Sequence, residues 1–234
     1  MDDADNIPTW IAEIDGRLAS FTHNLPRELD PVALSRSKLP FKAMGYRETL
    51  IWRVTELAQA AVDNYKQGRV AAATLLTRGV METTAALWYL RYKIKGALAA
   101  QALGDIDNHL MRLSLGTRNW EETPDAINVL NFVDSVEKEL KGFRMQYDSL
   151  SEVAHPNYSG TTGLFSKIDH KNVFVHLGPN EQYAKNLVTA GTGSLSATLL
   201  IFEHCYNALA DELPEFVKLC EAALPPEDTP HDAP

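Results

Sequence analysis

Between residues 147 and 160 the sequence YDSLSEVAHPNYSG places Tyr147, Asp148, Ser151, Glu152 and His155 within about two helical turns. Pro156 then ends the helix. At the C-terminal end of that helix the dipole favours a protonated imidazole, so His155 is a candidate to move a proton near neutral pH. Asp148 lies seven residues back with Ser151 between them, which has the composition of a Ser/His/Asp set. A serine nucleophile also needs a sharp exposed turn and an oxyanion hole, and the sequence shows neither. The alternative is a histidine that caps local carbonyls while Ser151 bonds its own helical turn. Tyr147, Ser151 and, just past Pro156, Asn157 are candidate ligand-binding side chains.

Glu152 and His155 also form Glu-x-x-His, half of the arrangement that builds carboxylate-bridged dimetal sites in helix bundles. No second copy of the motif occurs in the chain, so neither a metal nor another cofactor is expected. His170 and His176 fall in or beside a turn and are expected to face solvent.

A second constellation lies upstream. Arg78, Glu82 and Tyr89 are separated by four and seven residues, which puts them on one stripe of a helix. Glu82 is placed to orient the Arg78 guanidinium and leave some of its donors for a phosphate or carboxylate. The competing reading is a structural ion pair joining two helices. Arg53 with Glu56, on the preceding helix, is a further pair of this kind.

Helices must position these residues. Trp10, Ile11, Ile14 and Leu18 recur at helical spacing after Pro8. Pro26, Pro31 and Pro40 then mark a connection too proline-rich for a long helix. A second helix is expected over about 47–67, ended by Gly68, and a third over about 69–94. The third is apolar nearly all round and therefore central. After a helix near 105–115, Thr123 with Pro124 predicts an N-cap followed by proline at the first helical position. That helix is expected to run through Leu140, with Gly142 dividing it from the segment ending at His155. Beyond Pro156 the apolar period shortens from 3.6 to 2, and Leu164 to Asp169 and VFVHL predict a β-hairpin over about 163–178. Asn180 is placed to cap a long helix to about Leu209, with a short one from about Leu213 to Leu224. The expected fold is an all-α bundle of six to eight helices with a short β-hairpin insertion, one domain over 1–224, and a disordered tail at 225–234.

Twenty-two basic and 31 acidic residues give a net charge of −9, which argues against bulk DNA binding or an anionic membrane partner. The charge is uneven, because residues 36–95 hold 11 basic and 4 acidic side chains, +7, and the remainder is −16. A local anion site in that stretch fits this pattern. Cys205 and Cys220 have no metal-ligand spacing and read as small buried hydrophobes of a reducing compartment. No export signal and no run of about 18 apolar residues is present, so a cytoplasmic protein is expected.

Three phrases, LPFKAMGYRETLIWRVTEL, LLTRGVMETTAALWYL and YDSLSEVAHPNYSGTTGLFSK, together resemble a family of uncharacterised bacterial helical proteins placed near the HEPN superfamily. The resemblance spans roughly residues 38–180. It implies a bacterial defence or stress protein, a homodimer, and a nucleotide, RNA or other phosphate-bearing ligand. It also implies metal-independent ribonuclease chemistry, in which an arginine of an Arg-x4-6-His motif stabilises phosphate charge and the histidine moves a proton. Positions 148, 149 and 150, where that arginine would stand before His155, hold Asp148, Ser149 and Leu150. Arg144 is eleven residues back, about 16 Å along a helix, so Arg78 from the neighbouring helix is the substitute on this reading. In that arrangement Arg78 contacts phosphate, Glu82 orients it and His155 carries the proton. A non-catalytic interaction or scaffold protein with a protein partner is the alternative, the same side chains then fixing helix register.

Overall fold

A computed structural model describes residues 6–31 and 35–225. Among them are eight helices and a two-stranded hairpin, as the apolar periodicity predicts. The helices are α1 Ile7–His23, α2 Lys38–Lys66, α3 Val70–Ala100, α4 Ile106–Leu115, α5 Val129–Glu139, α6 Phe143–Ala154, the four-residue turn α7 Thr162–Phe165, and α8 Glu181–Ala222. Strands β1 Ser166–Asp169 and β2 Phe174–Leu177 separate α7 from α8. The acidic N-terminal residues 1–5 and all but the first residue of the expected tail lie outside the described residues.

Helix α3 is the axis, packing against α2, α4, α5, α6 and α8. Its sequence explains the position, since Val80, Met81, Ala85, Ala86, Leu87, Trp88 and Leu90 are all buried and span every face of the helix. The amphipathic helices around it turn one stripe inward: Ile14, Leu18 and Phe21 of α1, Leu50, Val54 and Ala61 of α2, Leu195, Leu199 and Phe202 of α8. One continuous apolar core results. A smaller cluster of Val70, Val153 and Leu164 joins the start of α3, the end of α6 and α7, with the first turns of α8 packed against it.

Several boundaries differ from the sequence expectation, each for a physical reason. Helix α2 begins nine residues before Arg47, at Lys38, capped by the Ser37 hydroxyl on the Leu39 amide at 3.3 Å. Pro40 is thus in the first turn, where the missing N–H has no helical partner anyway. Thr123 caps no helix, because its hydroxyl closes the loop instead, bonding the Thr117 hydroxyl at 2.7 Å and the Trp120 carbonyl at 2.8 Å. Asn128 caps α5 through the Leu130 amide at 3.0 Å. Gly142, at φ +93°, divides α5 from α6 as expected. The segment 162–165 forms a helical turn, and the hairpin is confined to 166–177. Helix α8 runs unbroken through Pro214, because Leu209, Phe216 and Cys220 continue one buried stripe across it, and that burial outweighs the roughly 3 kcal/mol cost of an interior proline. Both cysteines are buried and unpaired, as expected. Among the described residues no helix is long and apolar enough to cross a membrane.

Candidate functional site

Arg78 and Glu82, one turn apart on α3, form the expected pair, with Arg78 Nε donating to Glu82 Oε1 at 3.0 Å. Tyr147 of α6 completes the cluster by donating its phenol to the same oxygen at 2.9 Å. Its ring lies 5.6 Å from the Arg78 guanidinium carbon, within cation–π range. Burial and then the Glu82 carboxylate push the Tyr147 phenol up, so it donates as a neutral hydroxyl. Burial alone would weaken the Arg78 charge, but Glu82 and Tyr147 more than offset it and raise its pKa. Arg78 and Glu82 keep about a quarter of their side chains exposed, so the cluster opens to the surface.

The third member of the sequence stripe does not join it. Tyr89 pairs instead with His109 of α4, at 3.4 Å from Oη to Nδ1, and packs on Phe132. Seven residues from Glu82 bring its side chain to the neighbouring α4–α5 side of the bundle, and Tyr147 supplies the hydroxyl from a different helix. Arg53 does not pair with Glu56. Its Nε donates to Thr83 Oγ1 at 3.2 Å, because α3 offers that hydroxyl across the α2–α3 contact. Arg53, Glu82, Thr83 and Tyr46 line a cavity of about 300 Å³, where burial pushes the Tyr46 phenol up to about 12 against the pull of Arg53.

The residues around His155 are not assembled as a catalytic set. Ser151 Oγ donates to the Tyr147 carbonyl at 2.9 Å, the helical back-bond expected of a non-nucleophilic serine. Asp148 is held by Arg144 Nε at 3.0 Å, and Arg144 Nη1 reaches Asp134 at 2.6 Å. Glu152 accepts from Asn157 Nδ2 at 2.7 Å, and Asn157 Oδ1 accepts from the Gly160 amide at 3.2 Å. Asn157 therefore shapes the loop after α6. His155 is the C-cap, its extended backbone N–H bonding the Ser151 carbonyl. Its ring is exposed and makes no side-chain hydrogen bond among the described residues, so the backbone and not the imidazole does the capping. His170 and His176 are exposed, as expected. No group of three or more His, Cys, Asp or Glu among the described residues is placed to hold a metal ion.

Sequence reasoning missed His109. Its Nε2 lies 3.1 Å from Asp105 on the previous turn, and with Lys93 and Trp88 it lines a cleft of about 550 Å³. Burial, followed by the nearby Lys93 charge, lowers its pKa. The Asp-x3-His spacing at the start of α4 was the available signal, and the Tyr89 contact needed the fold. The interior arginines elsewhere are closed: Arg47 on the Tyr206 carbonyl and Glu48, Arg91 on Glu212 by both Nε and Nη2. No family model, curated protein or solved structure matches the chain.

Proposed function

We propose that the Arg78–Glu82–Tyr147 cluster binds a phosphate-bearing ligand, RNA or a nucleotide, on the surface between α3 and α6. One observation carries this reading: Arg78 is oriented by Glu82 through Nε and by the Tyr147 side chain, and 29% of its side chain stays exposed, against 7% for Arg47 and 18% for Arg91. A guanidinium oriented by its neighbours and still open to solvent is pre-organised for a phosphate. Arg78 belongs to the stretch from residue 36 to 95 that carries +7. Arg53 of α2, exposed and donating through Nε to Thr83 of α3, supplies a second contact for a longer ligand.

In this reading the exposed His155 ring, one helical turn past Ser151 at the end of α6, has the role of proton carrier that the HEPN-like resemblance assigns it. A structural reading of the same cluster is favoured by Tyr147, which is buried and ties α6 to α3 through Glu82.

The two readings separate in one experiment, fluorescence anisotropy of a labelled single-stranded RNA alongside thermal unfolding. Arg78→Ala is expected to weaken RNA binding tenfold or more, since a charge-assisted contact contributes about 1.5–3 kcal/mol, with a melting shift of at most a few degrees. His155→Ala is expected to remove any RNA cleavage and spare binding. Wild-type protein that binds neither RNA nor nucleotides, with an Arg78→Ala variant that melts much earlier, would reject the binding site in favour of the structural role.

A further inference from the structure

The cleft of about 550 Å³ where α3 turns into α4 shares no lining residue with the Arg78–Glu82–Tyr147 cluster. Its size falls within the range of about 300–1,000 Å³ that small-molecule sites occupy. The sequence explains why it is open. Gly96, Ala97, Ala99, Ala100, Ala102 and Gly104 line it, so the last turn of α3 and the connection to α4 carry almost no side chain to fill the space. A glycine inside a helix weakens that helix. Close packing does not require one at residue 96, since a Cβ built there meets no atom within 4 Å beyond its own helical turns. What its missing side chain provides is room in the cleft.

The floor is apolar, made by the buried Trp88, Ala97 and Ile106. The charges in the wall are satisfied with one exception. Arg91 is closed on Glu212 by both Nε and Nη2, and Glu139 lies near enough to act on the same arginine. Asp105 is held by His109. Lys93 is half-buried, with its ammonium 5.3 Å from the centre of the Tyr89 ring one turn back. Lys42 and Lys66 hold Asp107 and Asp15, whereas no carboxylate lies within ion-pairing distance of Lys93 among the described residues. Partial burial therefore costs this ammonium hydration that no counter-charge returns. His109 cannot supply it, because Asp105 and Tyr89 take both ring nitrogens. Lys95, exposed in the same wall, adds a second positive charge.

We propose that this cleft binds an amphipathic organic carboxylate, its anionic group on the Lys93 ammonium and its apolar ring or chain over Trp88, Ala97 and Ile106. Such a ligand matches both parts of the wall, a large apolar surface with one polar group that fixes orientation. A bare inorganic anion leaves the floor uncovered, and a neutral apolar molecule leaves Lys93 unpaired.

Isothermal titration calorimetry of the full chain with 2-naphthoate and with octanoate tests this, and 2-naphthylmethanol serves as the neutral analogue. Saturable binding of a carboxylate is expected, with the alcohol about tenfold weaker or more, the usual loss when a charge-assisted contact is removed. Lys93→Gln is expected to weaken the carboxylate by a similar factor and to leave the alcohol nearly unchanged. Gly96→Leu fills the cleft from an exposed helical position and is expected to abolish binding without lowering the melting temperature. Arg78→Ala is expected to bind the carboxylate as wild type does. Wild type that binds neither carboxylate overturns the proposal, as does binding that survives Gly96→Leu or is indifferent to the charge at residue 93. Loss of binding in Arg78→Ala also overturns it and assigns the carboxylate to the cluster between α3 and α6.

Discussion

Glu82 accepts two hydrogen bonds from different helices on one oxygen, so a single carboxylate both orients Arg78 and joins α3 to α6. His109 has the opposite character, with both ring nitrogens engaged, by Asp105 and by Tyr89. Its pKa is lowered in the folded protein, by burial first and then by Lys93, so the unfolded chain takes up the proton more readily as pH falls. The stability tied to neutral His109 is therefore complete above the unfolded value of about 6.5 and lost as pH drops through the folded value. Melting temperature measured against pH is expected to fall on the acid side of that value, and His109→Gln is expected to flatten that part of the curve. An unchanged profile in the variant would assign the acid loss to other groups.

Among the elements, α8 receives the Tyr65 side chain of α2 directly against its backbone at Gly191. A Cβ built on Gly191 would lie 1.9 Å from the Tyr65 hydroxyl, and that hydroxyl is buried and bonded to Thr77 at 3.1 Å. The Tyr65 ring fits against α8 only because residue 191 has no side chain. Gly191→Ala is expected to destabilise by about 1–3 kcal/mol, the usual cost of overpacking a well-filled core. Urea unfolding checks this, and a neutral result would mean that α8 shifts freely along α2. Asn180, in contrast, joins the N-terminus of α8 to the hairpin base through both its side-chain groups, so the direction of the projecting arm is set by α8.

For the whole molecule, the core encloses its two thiols. Burial pushes Cys205 up to about 12 and Cys220 up to about 11, leaving both protonated and shielded at neutral pH, the unreactive form of cysteine. Modification by a soluble disulfide reagent is expected to be slow in native buffer and rapid in denaturant, with Cys205 the later of the two. Fast labelling in native buffer would show that the C-terminal half of α8 opens locally.

The amino-acid sequence by itself determined the helical class, the central place of α3, the Gly142 break, the Asn180 cap and the existence of the hairpin, because each depends on local periodicity or on backbone chemistry within a few residues. It also specified the Arg78–Glu82 pair, since four residues along a helix is a fixed geometry. Only the tertiary structure decided that Tyr147 and not Tyr89 meets Glu82 and that Arg53 turns to Thr83. Those contacts join helices far apart in the chain, and their choice depends on how the side chains of packed helices interdigitate. The continuation of α8 through Pro214 has the same origin, because a proline breaks a helix unless the burial of its neighbours, here Leu209 and Phe216, outweighs the lost hydrogen bond. The outward-facing apolar side of the hairpin was settled there too, since period-2 alternation marks two faces of a strand and does not say which of them the core will cover.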